Sequence, residues 1–360
     1  MKVITRPLEL IPEYDLRSIC SLEEMLLFDI ETTGLKKETT QLYLIGCAYY
    51  SEGTWYVRQW LTENTSDEPR VLEEFCEFAS HYKTLVHFNG DGFDIPYMQY
   101  KADYYMTGFD FGQFNSFDIL KHARRSKKML SLQSMSQKSI EVFLGINRDD
   151  QLNGGLLIPV YYDYEKSRSA RLEQLLLLHN FDDIQGMLKI LPILTYTNVL
   201  TGGYEFVSAG EAHDTAILEY RITDPVPVYC EKMIGTNADI LVCMDKDLLQ
   251  INMKIYQETG RIPLANVSDY YYLPDEDIVI HKDVGQFLDK TKRVKATKKN
   301  CFIKKDGRFI PQINPVFTPA FQLADDNKRV YADWDELEKT CDKCLMKELS
   351  SGILHSISGC

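Results

Sequence analysis

The chain reads as an α/β domain followed by an α+β domain. Two observations predict this. The first half shows three strand-like runs in succession, then strands alternating with helical patterns, the order of a mixed sheet with helices on both sides. After Asn198 the pattern changes to strand after strand, with Gly202-Gly203 at the boundary. The expected division is a lead-in over residues 1–21, the α/β domain over 22–200 and the α+β domain over 201–360.

Apolar runs of alternating or continuous type predict strands at Leu26–Ile30, Leu42–Tyr49 and Trp55–Trp60. Ser51-Glu52-Gly53-Thr54 makes a hairpin turn between the last two. A helix near Pro69–Ser80 precedes a strand at Thr84–His87, and a helix from Pro96 to about Met106 follows. Helical periodicity recurs at Ile119–Arg125, Leu132–Leu144 and Ala170–Leu191, with Pro192 kinking or ending the last. Gly154-Gly155 and Pro159 mark a loop before that helix. In the second half, strands are expected at Ala216–Ile222, Val226–Met233, Ile240–Met244, Leu249–Ile255 and Tyr270–Tyr272. A hairpin is expected over Cys301–Pro311 with Asp306-Gly307 at its turn, and helices over Val284–Lys290 and Trp334–Leu349.

Three short segments carry chemistry. In Phe28–Leu35, FDIETTGL, a buried strand ends in Asp29 and Glu31. A strand has period two, so both carboxylates point to one face. Two anions there repel each other and lose hydration, and a cation is the simplest compensation. The plainer reading is two solvated acids at a strand end. In Phe88–Pro96, FNGDGFDIP, Gly90 and Gly92 supply a tight turn, and Asp94 stands near the N-cap of a helix whose first turn takes Pro96. A plain capping aspartate is the alternative. Asn89 would hydrogen-bond the loop or position a substrate. In His179–Asp183, HNFDD, His179 and Asp183 stand four apart on one helix face, while Asp182 points about 100° away. Such a carboxylate can ligate a hard metal while the imidazole reaches an activated water. A lone histidine on an apolar helix is otherwise a core residue.

Together the three segments resemble the DnaQ-like exonucleases of the ribonuclease H-like superfamily, which carry four acids, Asp-Glu-Asp-Asp, in three separated motifs. Asp29 and Glu31 match the first pair, Asp94 the third acid, Asp183 the fourth, and His179 the general base. The context of Asp94 is also similar to the proofreading domain of family B DNA polymerases. Within the superfamily, Ser116–Leu120, Phe143–Ile146 and Arg148-Asp149-Asp150 are similar to the spacer of the YprB-like bacterial domain. The resemblance covers roughly residues 22–197. One departure stands out: at the spacing of His179 to Asp183 superfamily members usually carry Tyr, or a His one residue further away. It bears on the base, not on the four acids.

The resemblance implies a 3′→5′ exonuclease that hydrolyses phosphodiester bonds with two divalent cations, Mg²⁺ or Mn²⁺, held by Asp29, Glu31, Asp94 and Asp183. Thr32, Thr33, Gly34 and Asn89 are the candidates for holding the terminal nucleotide. The implied partner is DNA or RNA, single-stranded or with a free 3′ end. Two rivals are a structure-specific endonuclease on the same fold and a non-catalytic nucleic-acid-binding module. The presence of all four acids and the histidine argues against the second.

Composition bounds the rest. At 360 residues and 44% hydrophobic, the chain can bury one large core or two ordinary ones. It has no long apolar run, so no membrane span is expected, and its N-terminus has no signal-peptide core. Nine scattered cysteines suit reduced thiols in a cytoplasm better than a disulfide framework. The net charge of −13, shared between both halves, opposes a bulk electrostatic grip on nucleic acid and favours a local one. Two basic clusters stand out: Lys121, Arg124, Arg125, Lys127 and Lys128; and a run from Lys290 to Arg308 that includes Lys292, Arg293, Lys295, Lys298, Lys299, Lys304 and Lys305. Arg124, Arg125, Lys292, Arg293, Lys298 and Lys299 are candidate phosphate contacts, against the plain reading of a solvated face. Cys341, Cys344, His355 and Cys360 form a zinc-type set whose spacing fits no common finger.

Overall fold

The computed structural model describes residues 1–148, 154–235, 237–324 and 329–359. Asp149, Asp150 and Cys360, named above, lie outside them. The chain folds as two compact units: Met1–Lys127 with Leu132–Thr197, and Lys128–Ser131 with Asn198–Gly359.

The first unit is built on a six-stranded mixed sheet. Its strands are β1 (Lys2–Leu8), β2 (Met25–Thr32), β3 (Leu42–Ser51), β4 (Thr54–Leu61), β5 (Thr84–His87) and β6 (Asn115–Asp118), in the order β1-β4-β3-β2-β5-β6. The first four pair antiparallel; β5 joins β2 in parallel, and β6 joins β5 in parallel. The β3–β4 hairpin turns on Glu52 and Gly53, both at positive φ, as a two-residue turn requires. No element was expected before Leu26, yet β1 forms an edge strand on β4, and β6 also went unread. Both are short, and β6 carries polar residues at three of its four positions, so neither shows a strong apolar pattern.

Helices Glu68–Ala79 and Asp94–Tyr104 supply Val71, Phe75, Tyr97 and Met98 to a core with Leu26, Phe28 and Ile30. Tyr43, Leu44 and Leu61 form a separate buried cluster with Leu157, Tyr161, Tyr164 and Leu176. The expected loop at Gly154-Gly155 and Pro159 is therefore corrected: Gly154–Ser167 is a helix. Pro159 removes one intrahelical hydrogen bond, but Leu157, Tyr161 and Tyr164 recur at helical spacing and are buried, which outweighs that loss. The helix expected from Leu132 starts at Gln137, where the Ser136 hydroxyl caps it.

Among the described residues, the second unit holds three three-stranded sheets. In one, β7 (Tyr204–Ala212), β8 (Thr215–Ile234) and β9 (Ile240–Lys254) are antiparallel neighbours. The four strands expected here are fused into β8 and β9. Their pairing shifts register around Arg221, Val226 and Cys230, where Pro225 and Pro227 lack ladder donors. A second sheet joins β10 (Tyr256–Pro263); the third joins β11 (Tyr270–Leu273), β12 (Ile278–His281) and β13 (Val294–Lys295). With β10 run β14 (Phe302–Gln312) and β15 (Val330–Asp333).

Three further expectations are corrected here. Asp306-Gly307 is no turn; it lies within β14, with Asp306 opposite Thr259 and accepting its hydroxyl. The Val284–Lys290 helix is a short one at Lys282–Gly285, and Lys290–Lys292 is a single 3₁₀ turn. The Trp334–Leu349 helix is two, Trp334–Thr340 and Lys343–Ile357. Cys341 ends the first in the left-handed region, and the Asp342 carboxylate caps the second.

Candidate active site

Period two on β2 sends Leu26, Phe28 and Ile30 into the core, so Asp29 and Glu31 face the other way, where helix Ala170–Ile190 packs. That helix supplies His179, Asn180 and Asp183. A register shift between Glu31 and Thr32 bends the strand at the site.

Four carboxylates and one imidazole meet there. His179 Nε2 lies 3.5 Å from Glu31 Oε1 and 3.3 Å from Asp183 Oδ2. These three residues present ligand atoms that all lie within 4.8 Å of one another. Tyr43 donates its hydroxyl to Glu31 Oε2 at 3.4 Å. The Asp29 carboxyl accepts from Asn180 Nδ2 at 3.1 Å. Burial pushes its pKa well above the usual carboxylate range, and Asp183, Asp94 and Glu31 push it further. Asp94 is the first residue of its helix, after Phe93 at the cap position. Its Oδ1 accepts from the Ile30 backbone N–H at 3.2 Å, which ties it to β2. Burial raises the Asp94 carboxyl to about 7; the Ile30 bond pulls the other way, and Asp118 and Asp183 add to the rise. A dense, partly buried set of oxygen donors under mutual repulsion fits hard divalent cations.

Sequence reasoning missed the groups that hold these acids. Asn180 is wholly buried, and its Oδ1 accepts from Gln59 Nε2 at 2.9 Å. Gly46 was the available signal: a Cβ there would lie 1.9 Å from Asn180 Oδ1, and glycine inside a central strand marks such close approach. Arg148 donates from Nη1 to Asp183 Oδ1 at 2.5 Å, and its other nitrogens hold Glu141, which is buried. Gln137 Nε2 donates to the Asp183 carbonyl at 3.0 Å. Asp182, expected to point away, is buried and acts electrostatically on Arg6.

The proposed nucleotide-holding residues are placed as follows. The Thr32 hydroxyl donates to the Gly34 carbonyl at 2.8 Å, and the Thr33 hydroxyl accepts from Gln41 N–H at 2.9 Å. Both shape the loop itself. Asn89 is exposed at φ +65°, with its N–H donating to Asp118 Oδ1 at 3.0 Å. Asp118 also caps the following helix. A second cluster, His87, Asp91 and Asp118, lies in the same loop region. There His87 Nδ1 accepts from Gly90 N–H at 2.9 Å, so Nε2 carries the proton toward Ser116 Oγ at 2.8 Å. Burial lowers the His87 pKa, and both ring nitrogens are engaged in hydrogen bonds that hold the loop.

Arg124 and Arg125 are exposed in a 3₁₀ turn. Lys292, Lys298 and Lys299 are exposed, but Arg293 is spent inside its unit, donating to the Gly285 carbonyl and lying 4.5 Å from the Tyr271 ring centre. Of the zinc-type set, Cys341 donates its thiol to the Glu338 carbonyl at 2.8 Å. Cys344 and His355 lie eleven residues apart on one helix, about 16 Å, too far to share an ion. No helix among the described residues is long and apolar enough to cross a membrane.

Residues 26–195 match the family model described as RNase_H superfamily, and this segment has the ribonuclease H-like fold. Among solved structures, the chain is similar to the family B DNA polymerase of the hyperthermophilic archaeon Pyrobaculum calidifontis, at 16% identity and a TM-score of 0.36, over 48% of this chain and 25% of that one. It is similar to E. coli Exonuclease I in complex with a 5cy-dA13 oligonucleotide, at 10% identity and TM-score 0.32, over 92% and 70% of the two chains. A moderately thermophilic Exonuclease I from Methylocaldum szegediense gives 9% and 0.32, over 78% and 64%. The chain thus spans about a quarter of the polymerase's length. No curated protein matches it.

Proposed function

We propose that residues 26–195 are a metal-dependent 3′→5′ exonuclease of the DEDD type, closest in character to the YprB-like domain, acting on DNA or RNA with a free 3′ end. One observation carries the reading. Acids from β2, from the helix after β5 and from the long helix converge beside His179, which touches two of them. Asp29, Glu31, Asp94 and Asp183 would hold two divalent cations, Mg²⁺ or Mn²⁺. Bound there, the cations supply Lewis acidity, which acidifies a water and offsets charge on the phosphate.

The chain's own groups do the positioning. Asn180, an amide that neither gains nor loses charge near neutrality, orients Asp29. The Ile30 N–H orients Asp94, and Arg148 orients Asp183. His179 Nε2 is the atom placed to take a proton, and the Glu31 and Asp183 carboxylates beside it would stabilise the resulting imidazolium. Asn89, exposed in the loop before Asp94, and the Thr32-Thr33-Gly34 backbone are the proposed contacts to the terminal nucleotide; Arg124 and Arg125 are proposed phosphate contacts. Nine scattered cysteines fit a reducing compartment, and the proposal places the enzyme in the cytoplasm.

The deciding experiment digests 5′-labelled single strands of DNA and RNA with Mn²⁺ or Mg²⁺, using wild type and Asp29→Ala, resolved by length. A ladder shortening from the 3′ end, absent in Asp29→Ala, supports the proposal. Fragments cut within the strand from the outset indicate an endonuclease. Binding without cleavage indicates a binding module.

A further inference from the structure

The basic run of the second unit does not act as one patch. Lys304 is ion-paired with Asp277. Lys305 is paired with Asp333 at 2.7 Å and with Glu336 at 2.6 Å, and Arg308 with Glu211 and Asp335. Those three cations are neutralised within the fold. Lys298 and Lys299 are exposed and have no carboxylate partner among the described residues. They stand at the rim of a cavity of about 570 Å³, within the range of small-ligand sites.

The cavity holds a third cation that sequence reasoning did not single out. Arg261 lines it from β10, and its Nε is buried with no hydrogen-bond partner. The Arg261 guanidinium is a permanent cation, and an anion entering the cavity would be attracted to it and could accept a charge-assisted hydrogen bond from it. Arg261 weakly perturbs Asp277, but the ion pair of that acid is with Lys304. The rim is also built. Asn300 Oδ1 accepts from the Thr297 N–H at 2.7 Å, and the Asn300 N–H donates back to the Thr297 carbonyl at 3.1 Å. This closed turn fixes the backbone that carries Lys298 and Lys299. The remaining wall is mainly apolar, with Leu264, Val267 and the ring of Phe302, whose centre lies 5.8 Å from the Arg261 guanidinium, and it includes the amide of Gln322.

We propose that this cavity binds a phosphate group of a nucleotide, with Arg261, Lys298 and Lys299 on the phosphate and Leu264, Val267 and Phe302 against the rest of the nucleotide. In a chain of net charge −13 such a local site is the way to hold an anion. The site lies wholly in the second unit and stands apart from the nuclease reading. The phosphate could be a diester within a strand or a free monoester, and competition separates the two.

The test uses the full chain in EDTA, where cleavage plays no part. Anisotropy of a short labelled oligothymidylate is followed across salt concentrations, with thymidine 5′-monophosphate and inorganic phosphate as competitors. Lys298→Gln with Lys299→Gln should flatten the slope of log K against log salt by about 1.4, at roughly 0.7 per contact on a single strand. Arg261→Gln should weaken binding by roughly ten- to a hundredfold, the loss of one charge-assisted bond. Lys304→Gln should change neither. Competition by the monophosphate that vanishes in the double lysine variant assigns a monoester site; strand binding untouched by it assigns a diester site. Both lysines are exposed, so their replacement leaves the fold intact and the result readable. Unchanged affinity and slope in that variant would overturn the proposal, and so would an equal loss in Lys304→Gln, which would make the effect one of bulk charge.

Discussion

Asn180 bridges the sheet and the acid cluster: its Nδ2 donates to Asp29 Oδ2 at 3.1 Å while its Oδ1 accepts from Gln59 Nε2 at 2.9 Å. One buried amide thus holds the Asp29 carboxylate and satisfies a glutamine on β4. Asn180→Ala leaves both groups without it. The expected cost is about 1–3 kcal/mol, the penalty for unsatisfied buried polar groups. Urea unfolding in EDTA measures it, and a midpoint equal to wild type would deny the bridge any weight.

Gly46 makes room for that amide. A Cβ at 1.9 Å from Asn180 Oδ1 cannot be accommodated without moving the amide or the strand. Gly46→Ala should therefore destabilise by roughly 1–3 kcal/mol, as overpacked cores do, and should lower turnover along with stability because Asp29 loses its support. Gly46→Ala crystals retaining the Asn180–Asp29 bond would contradict this.

Arg148 brings a cation to the carboxylate cluster through Asp183 and neutralises Glu141 as well. Both partners of the Arg148–Glu141 pair are largely buried. Arg148→Gln should cost about 3–5 kcal/mol in EDTA, since it leaves a buried charge uncompensated. Saturating Mn²⁺ should return part of this, about 2.7 kcal/mol at a hundredfold excess over Kd. Calorimetric Tm values with and without Mn²⁺ provide the comparison.

Without metal, Asp29 and Asp94 both have raised pKa values in the folded chain. An acid whose folded pKa exceeds its unfolded one takes up a proton on folding. Its contribution is present in full below the unfolded value near 4 and is lost as pH rises through the folded value, about 7 for Asp94. The metal-free protein should therefore lose stability between about pH 4 and 7, on the order of a few kcal/mol at roughly 1.4 kcal/mol per pH unit for one site. Asp94→Asn should flatten that decline in urea titrations made in EDTA.

His179 is buried and contacts Glu31 and Asp183. His179→Ala should cut turnover by roughly 10²–10⁴-fold while Mn²⁺ binding by calorimetry persists. Full turnover at neutral pH would reduce His179 to a packing residue. Asp29→Ala, by contrast, should lose Mn²⁺ binding itself.

The segments that sequence alone made legible share one property: their signals are local. Alternation on β2 placed Asp29 and Glu31 on one face, and the spacing of four placed His179 over Asp183, because strand and helix periods are properties of the backbone. The core strands at Leu26, Leu42, Trp55 and Thr84 were readable for the same reason, being apolar runs that no other element type explains. What tertiary structure decided are pairings between distant segments. Asn180 was one more polar residue on a helix until Gly46 and Gln59 were brought beneath it from β3 and β4. Arg148 belonged to a spacer until folding set it on Asp183, thirty-five positions away. Asp306-Gly307 has turn chemistry but runs straight, because Thr259 and the rest of β10 pair across it. Local propensity is worth about a kilocalorie per mole, and the burial and pairing gained from a whole neighbouring strand exceed it.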